Sequence, residues 1–228
     1  MIMHFSFKVF IPFLSLVFFQ VSKAQNFNYT LTKDSTSYQP LSTTAIVADK
    51  EDWTNKKFSL NLPFQFNCAG VITDSLTIES NGFISFGANT NLALVAFNNF
   101  LCSMDTTGAF VSEISFLLSG SPGSRVAKLE FKNLSLGTVS PEDFFSYQLW
   151  FYEGNNKIEY HIGPHAYAAI SVFPELIGVI RRRMDASVNG YLVTGSPSSP
   201  TGKQLNDEFS YIDRMPGTGT IYTFTPIF

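Results

Sequence analysis

Cysteine, histidine and charge are all scarce in this chain of 228 residues. Two cysteines, Cys68 and Cys102, can neither staple a disulfide-dense scaffold nor supply the four ligands of a structural zinc site. Charged side chains make up 14% of the residues against 45% hydrophobic, including 24 phenylalanines. That balance excludes intrinsic disorder, because the chain can bury enough apolar surface to offset its ordering entropy. A formal charge of −3 excludes a nucleic-acid binder built on a broad basic face. No Gly-x-Ser-x-Gly elbow follows a strand, and no Gly-rich segment ends in the Lys-Ser/Thr of a phosphate loop.

What is present begins with a leader. Lys8 precedes an apolar run, Val9 to Val21, broken only by Pro12, Ser15 and Gln20. Ser22-Lys23-Ala24 then places small residues at the −3 and −1 positions of a cleavage site before Gln25. The run falls short of the ~20 apolar residues a membrane-crossing helix needs. A secretory signal is therefore expected over residues 1–24, followed by one domain over residues 25–228 with no membrane span. Removing Lys8 and Lys23 takes the formal charge from −3 to −5. In an exported chain Cys68 and Cys102 become a disulfide candidate, with two buried thiols as the alternative.

Period-two alternation dominates the rest. Phe58, Leu60, Leu62, Phe64, Phe66 and Cys68 alternate with polar residues or Pro63, the pattern of a strand with one buried and one wet face. Pro63 has no amide to donate, so this strand is expected at a sheet edge or bulged. Leu76–Glu79, Ser80-Asn81-Gly82 and Phe83–Phe86 read as a hairpin. Further strands are predicted at Val111–Leu118, Val126–Phe131, Phe145–Tyr152, Lys157–Ile162, Leu176–Ile180, Tyr191–Val193 and Ile221–Thr225. Ser140-Pro141-Glu142-Asp143 offers at most one helical turn. The expected fold is all-β: a single two-sheet antiparallel β-sandwich of jelly-roll or Greek-key type.

Candidate chemistry is thin. Paired carboxylates suited to glycoside hydrolysis are not evident: Glu51-Asp52, Glu142-Asp143 and Asp207-Glu208 are adjacent, so extended strands would point them to opposite faces. Glu79, Glu130, Glu153 and Glu159 stand singly. His161 and His165 share a helical spacing that Gly163-Pro164 breaks. Asp49, Glu51 and Asp52 place three hard oxygen donors within four positions and form a candidate calcium site; Asn206-Asp207-Glu208 with Asp213 is a second cluster. No other cofactor is expected. Arg181-Arg182-Arg183 is the one basic run, read as a solvated strand end. Phe145, Tyr147, Leu149 and Phe151 share the core face of their strand. Trp150 and Tyr152 lie on the opposite face and, with Trp53, are candidates for stacking a sugar. Asn28-Tyr29-Thr30 and Asn133-Leu134-Ser135 match the glycosylation sequon.

Four stretches in order carry a resemblance. They are Leu62–Phe66 continuing into Leu76–Phe86, Tyr147–Glu153 leading to Lys157–Tyr160, Ile177–Ile180, and Gly219–Pro226. This ordered set resembles a module at the front of large secreted bacterial surface proteins and is similar to nidogen-type extracellular β-sandwich domains. The resemblance implies an extracellular sandwich concerned with adhesion, surface organisation or substrate capture, and it brings no catalytic residues to carry over. The expected function is a non-enzymatic, secreted or surface-associated module that binds an extracellular glycan or surface protein. The alternatives are a secreted jelly-roll carbohydrate-active enzyme with Glu130 or Glu159 as general acid, and a purely structural subunit of an extracellular assembly.

Overall fold

The computed structural model describes residues 27–42, 45–49, 56–79, 82–87, 91–97, 102–103, 112–135, 144–166, 176–182, 187–206 and 211–227. Side chains at positions 46–49, 102–103, 135, 182 and 206 are outside that description. The expected leader and the expected turn at Ser140–Asp143 also lie outside the described residues.

Among the described residues fifteen strands follow in chain order: β1 (Tyr29–Ser35), β2 (Ala45–Asp49), β3 (Lys57–Cys68), β4 (Val71–Glu79), β5 (Phe83–Phe86), β6 (Leu92–Ala96), β7 (Cys102–Ser103), β8 (Glu113–Ser119), β9 (Val126–Ser135), β10 (Phe144–Tyr152), β11 (Ile158–Ala166), β12 (Ile177–Arg182), β13 (Val188–Thr194), β14 (Thr201–Asn206) and β15 (Thr220–Pro226). The first sheet runs β1-β15-β11-β10-β9-β8-β2, with β7 also on β9; the second runs β14-β13-β12-β6-β5-β4-β3. Strand pairs are antiparallel throughout, and β15 returns to lie between β1 and β11. The two sheets form the expected sandwich, and no helix occurs among the described residues.

Alternation decides which residues meet between the sheets. In β3 the residues Leu62, Phe64, Phe66 and Cys68 are buried, while Asn61, Pro63 and Gln65 are exposed. Pro63 meets both of its expectations. It lies on an edge strand, and the register with β4 shifts between Asn61 and Phe66, where its missing amide leaves no ladder bond unmade.

Aromatic rings then lock sheet to sheet. Phe66 and Phe86 of the second sheet pack edge-on against Phe151 of the first, at 5.4 and 6.3 Å. Phe97 meets Phe145 across the sheets at 4.3 Å, while within the first sheet Phe131 stacks on Tyr147 at 4.5 Å. Two polar ties cross the same core. The Tyr160 hydroxyl donates to the Gly178 carbonyl at 2.8 Å, and the Ala69 amide donates to the Tyr29 hydroxyl at 3.1 Å. Cys68, inside this core, is a buried thiol with its Sγ 3.7 Å from the Tyr29 hydroxyl. Burial pushes the thiol up to about 12. The side chain of Cys102 is outside the described residues.

One connection shapes the outside of the first sheet. β1 and β2 are consecutive, yet they hold opposite edges of that sheet. Six inter-strand steps of about 4.8 Å separate them, roughly 29 Å. Ten residue steps from Ser35 to Ala45 reach at most about 33–36 Å. The link is therefore nearly taut, and its described part, residues 36–42, runs over the outer face of the sheet. There the Tyr38 hydroxyl donates to Glu130 Oε1 at 2.6 Å, the Leu41 amide to Glu130 Oε2 at 3.1 Å, and Gln148 Nε2 to the Gln39 carbonyl at 2.8 Å. This strap buries the outward residues Glu130, Ser146 and Gln148 as fully as core residues.

Around β6, β12 and β13 the second sheet is buried on both faces, whereas β3 keeps a wet outer face. Val95, Ile180, Leu192 and Leu205 form a separate buried cluster on its outer side. Close strand packing here requires glycine: a Cβ at Gly178 would lie 2.2 Å from the Tyr191 carbonyl oxygen and 2.8 Å from a Leu192 methyl. Neither the backbone oxygen nor the buried leucine can retreat without shifting β13. Gly178→Ala should therefore cost about 2–3 kcal/mol and lower the melting temperature by about 4–12 °C. A calorimetric scan showing an unchanged midpoint would refute the tight packing of β12 on β13.

Candidate functional site

Five of the candidate residues, Glu130, Trp150, Tyr152, Glu159 and His161, converge on the outer face of β9, β10 and β11. Antiparallel register sets them in two rows across three strands. One row is Lys128, Trp150 and Glu159; the next is Glu130, Gln148 and His161. Each member alternates with a core residue: Leu129 and Phe131 on β9, Leu149 and Phe151 on β10, Ile158 and Tyr160 on β11. Core burial on one side therefore fixes the direction of every side chain on the other.

Trp150 is the centre of the group. Its indole Nε1 donates to Gln148 Oε1 at 2.9 Å, and the Gln148 amide in turn donates to Glu130 Oε1 at 2.9 Å. The ring stacks on His161 at 4.1 Å with an interplanar angle of 21°, and the Lys128 ammonium sits 3.8 Å from its centroid. Lys128 and His161 reach it from the two strands that flank β10. Such a cation–ring contact contributes about 0.5–2 kcal/mol, depending on desolvation. The indole faces are thus occupied by the protein's own side chains, and the half-buried ring offers a ligand its edge rather than an open stacking plane. Tyr152 is arranged likewise, with the Lys157 ammonium 3.9 Å from its centroid.

Glu159 gathers the second half of the group. Its Oε2 accepts from the Tyr152 hydroxyl at 2.7 Å and contacts His161 Nε2 at 2.9 Å; its Oε1 lies 2.8 Å from Lys157 Nζ. Burial alone would raise its pKa, but the hydrogen bonds from His161, Lys157 and Tyr152 together outweigh burial and hold the carboxyl at about 2. Burial and the Glu159 carboxylate push the Tyr152 hydroxyl well above its ordinary value, and burial lowers the Lys128 ammonium against the pull of Glu159. Glu130 takes its donors from Tyr38, Leu41 and Gln148 and is 2% exposed.

The remaining candidates separate from this group. Glu153, a lone acid in sequence, joins two hairpin turns: it pairs with Arg125 at 2.6 and 2.8 Å and accepts from the amides of Gly123 and Arg125. Those contacts, the Arg125 side chain foremost, hold it at about 2. Arg181 is not a solvated strand end, since its Nη2 donates to the Ala69 carbonyl at 3.1 Å and its guanidinium lies over Phe27. Tyr147 is in the core, as expected. His165 contacts the Gly163 carbonyl through Nδ1 at 3.0 Å. Trp53, Glu51, Asp52, Asp207 and Glu208 lie outside the described residues, as does the side chain of Asp49. Among the described residues no group of three metal-binding side chains comes together.

Alternation on β10 and β11 pointed to Trp150, Tyr152, Glu159 and His161. Lys128 carried the same signal, lying two positions from Glu130 on one strand face. Tyr38 had no signal, because its partner is 92 positions away.

A two-layer antiparallel sandwich with a short row of aromatic and ionic groups on one outer face is the class of protein that this geometry defines. The chain matches the NIDO-related family over residues 28–226 and belongs to that family, which makes it an extracellular-type β-sandwich module. No curated protein and no solved structure matches the chain. Among the described residues no helix is long and apolar enough to cross a membrane.

The depressed pKa of Glu159 has a stability consequence. A carboxylate with a lowered folded pKa stabilises above its ordinary value of 4.5 and loses that contribution as pH falls through about 2. The gap in unfolding free energy between the native chain and Glu159→Gln should be on the order of 2–3 kcal/mol at pH 6 and close toward zero at pH 2. Urea unfolding at a series of pH values measures it; a gap that does not change with pH would contradict the network.

Proposed function

We propose that this chain is a secreted or surface-associated, non-enzymatic module that captures an extracellular ligand, a glycan or a surface protein, on the outer face of β9–β11. The observation that carries this reading is the immobilised set Lys128, Trp150, Tyr152, Lys157, Glu159 and His161. Each side chain is held by a neighbour, and each points from a rigid sheet. A surface with fixed rotamers loses little entropy when a ligand docks, so its contacts convert more fully into affinity.

The same contacts speak for binding rather than turnover. A general acid needs a proton to give near neutral pH, and Glu159 is held ionised by three donors. Glu130 is enclosed by the strap and by Gln148, away from any substrate. Membership of the NIDO-related family supports the extracellular setting. The calcium site at Asp49, Glu51 and Asp52 is part of the proposal.

The test is a glycan array and a panel of cell-surface fractions, probed with the full chain with and without calcium. Specific retention that Trp150→Ala weakens by at least tenfold is the expected result, in line with the cost of truncating a central aromatic. No retention on any surface, or no retained ligand that Trp150→Ala weakens, would overturn the assignment of this face.

A further inference from the structure

A second feature lies away from the outer face, at the open side of the sandwich where β1 ends. A cleft of about 370 Å³ is lined by Lys33, Ser196, Ser198, Arg214, Met215 and Thr220, with Pro197 and Gly217 completing it. That volume is at the small end of the range of about 300–1,000 Å³ usual for ligand sites. Its lining holds two cations and no carboxylate, in a chain whose overall charge is negative.

The walls are built rather than incidental. Lys33 is opposite Tyr222 in the β1–β15 register, so it leaves the edge strand on the same side as that core tyrosine and is exposed at the rim of the sandwich. Asp34 alternates to the other side, where it accepts from the Ser35 amide. Arg214 is placed beside Ser196 by a parallel bridge between Gly195 and Ile212, with the Asp213 amide donating to the Gly195 carbonyl at 3.0 Å. The Ser196 and Ser198 hydroxyls are 2.8 Å apart in a turn closed by the Ser199 amide on the Ser196 carbonyl at 3.0 Å. Gly217 is tied to Thr220 at 3.1 Å. Neither Lys33 nor Arg214 takes part in an ion pair among the described residues. A lysine on an edge strand also discourages strand-to-strand aggregation. That role does not account for the guanidinium, the hydroxyls and the cleft that accompany it.

We propose that this cleft binds the anionic group of an acidic saccharide. Lys33 and Arg214 neutralise its carboxylate or sulfate, the Ser196, Ser198 and Thr220 hydroxyls exchange hydrogen bonds with neighbouring sugar hydroxyls, and Met215 packs on the ring's apolar side. The full chain is titrated by affinity electrophoresis against polygalacturonate, dextran sulfate and neutral dextran. Retardation by one or both charged polymers but not by dextran is expected, and the responding polymer identifies the anion. Lys33→Ala/Arg214→Ala should weaken that retardation at least tenfold. Lys56→Ala/Lys132→Ala, which removes equal charge elsewhere, should change it less than twofold, with melting curves confirming that all variants fold. Absence of retardation, an equal response to neutral dextran, or equal losses in the two double variants would each overturn the site. Trp150→Ala should leave it intact, so failure here and failure of the outer-face assignment are read separately.

Discussion

Two consecutive strands, β1 and β2, close opposite edges of one sheet, and the chain between them has to cross that sheet's outer face on almost its full reach. Much of the outer surface depends on this. A taut strap needs an anchor midway, and Glu130 supplies it by accepting from Tyr38 and Leu41. With the strap in place, Gln148 has its amide fixed on both sides, and Gln148 in turn orients Trp150. A buried carboxylate that would be costly alone is offset here by three donors. The chain of dependence runs from topology to a buried polar network to the rotamer of one indole.

That sequence of causes also explains a disagreement between chemistry and burial. β10 alternates as expected, with Phe145, Tyr147, Leu149 and Phe151 inward and Ser146, Gln148, Trp150 and Tyr152 outward. Its burial does not alternate, because the strap covers Ser146 and Gln148 and stops short of Trp150 and Tyr152. The exposed remainder is the surface proposed for ligand capture. Its aromatic rings are clamped by lysines and a histidine, which leaves charge and ring edges rather than open stacking planes at the surface.

How much of this could be read from the residues follows the same physics. β3 was plain because one of its faces is wet, and the Pro63 edge and bulge followed from its missing amide. β6 gave no alternation because it lies mid-sheet with apolar residues on both of its faces, and all five of its residues are buried. β14, Thr-Gly-Lys-Gln-Leu-Asn, has the composition of a loop and becomes a strand through pairing with β13. Trp150, Tyr152, Glu159 and His161 were within reach of sequence reasoning because alternation places them together. Their binding partners were not, since Tyr38 reaches Glu130 across 92 positions and no local pattern encodes a strap. Cys68 is a further case: alternation placed it inward, but the tyrosine hydroxyl and aromatic core around it come from distant strands.

The central claim is that strap and carboxylate together immobilise the indole on the outer face. Hydrogen exchange at the Trp150 indole N–H, followed by NMR in the native chain and in Glu130→Ala, addresses it directly. The account predicts a protected indole in the native chain and exchange at least tenfold faster in the variant, while core amides such as that of Leu149 stay protected. Equal indole protection in the two proteins would contradict it.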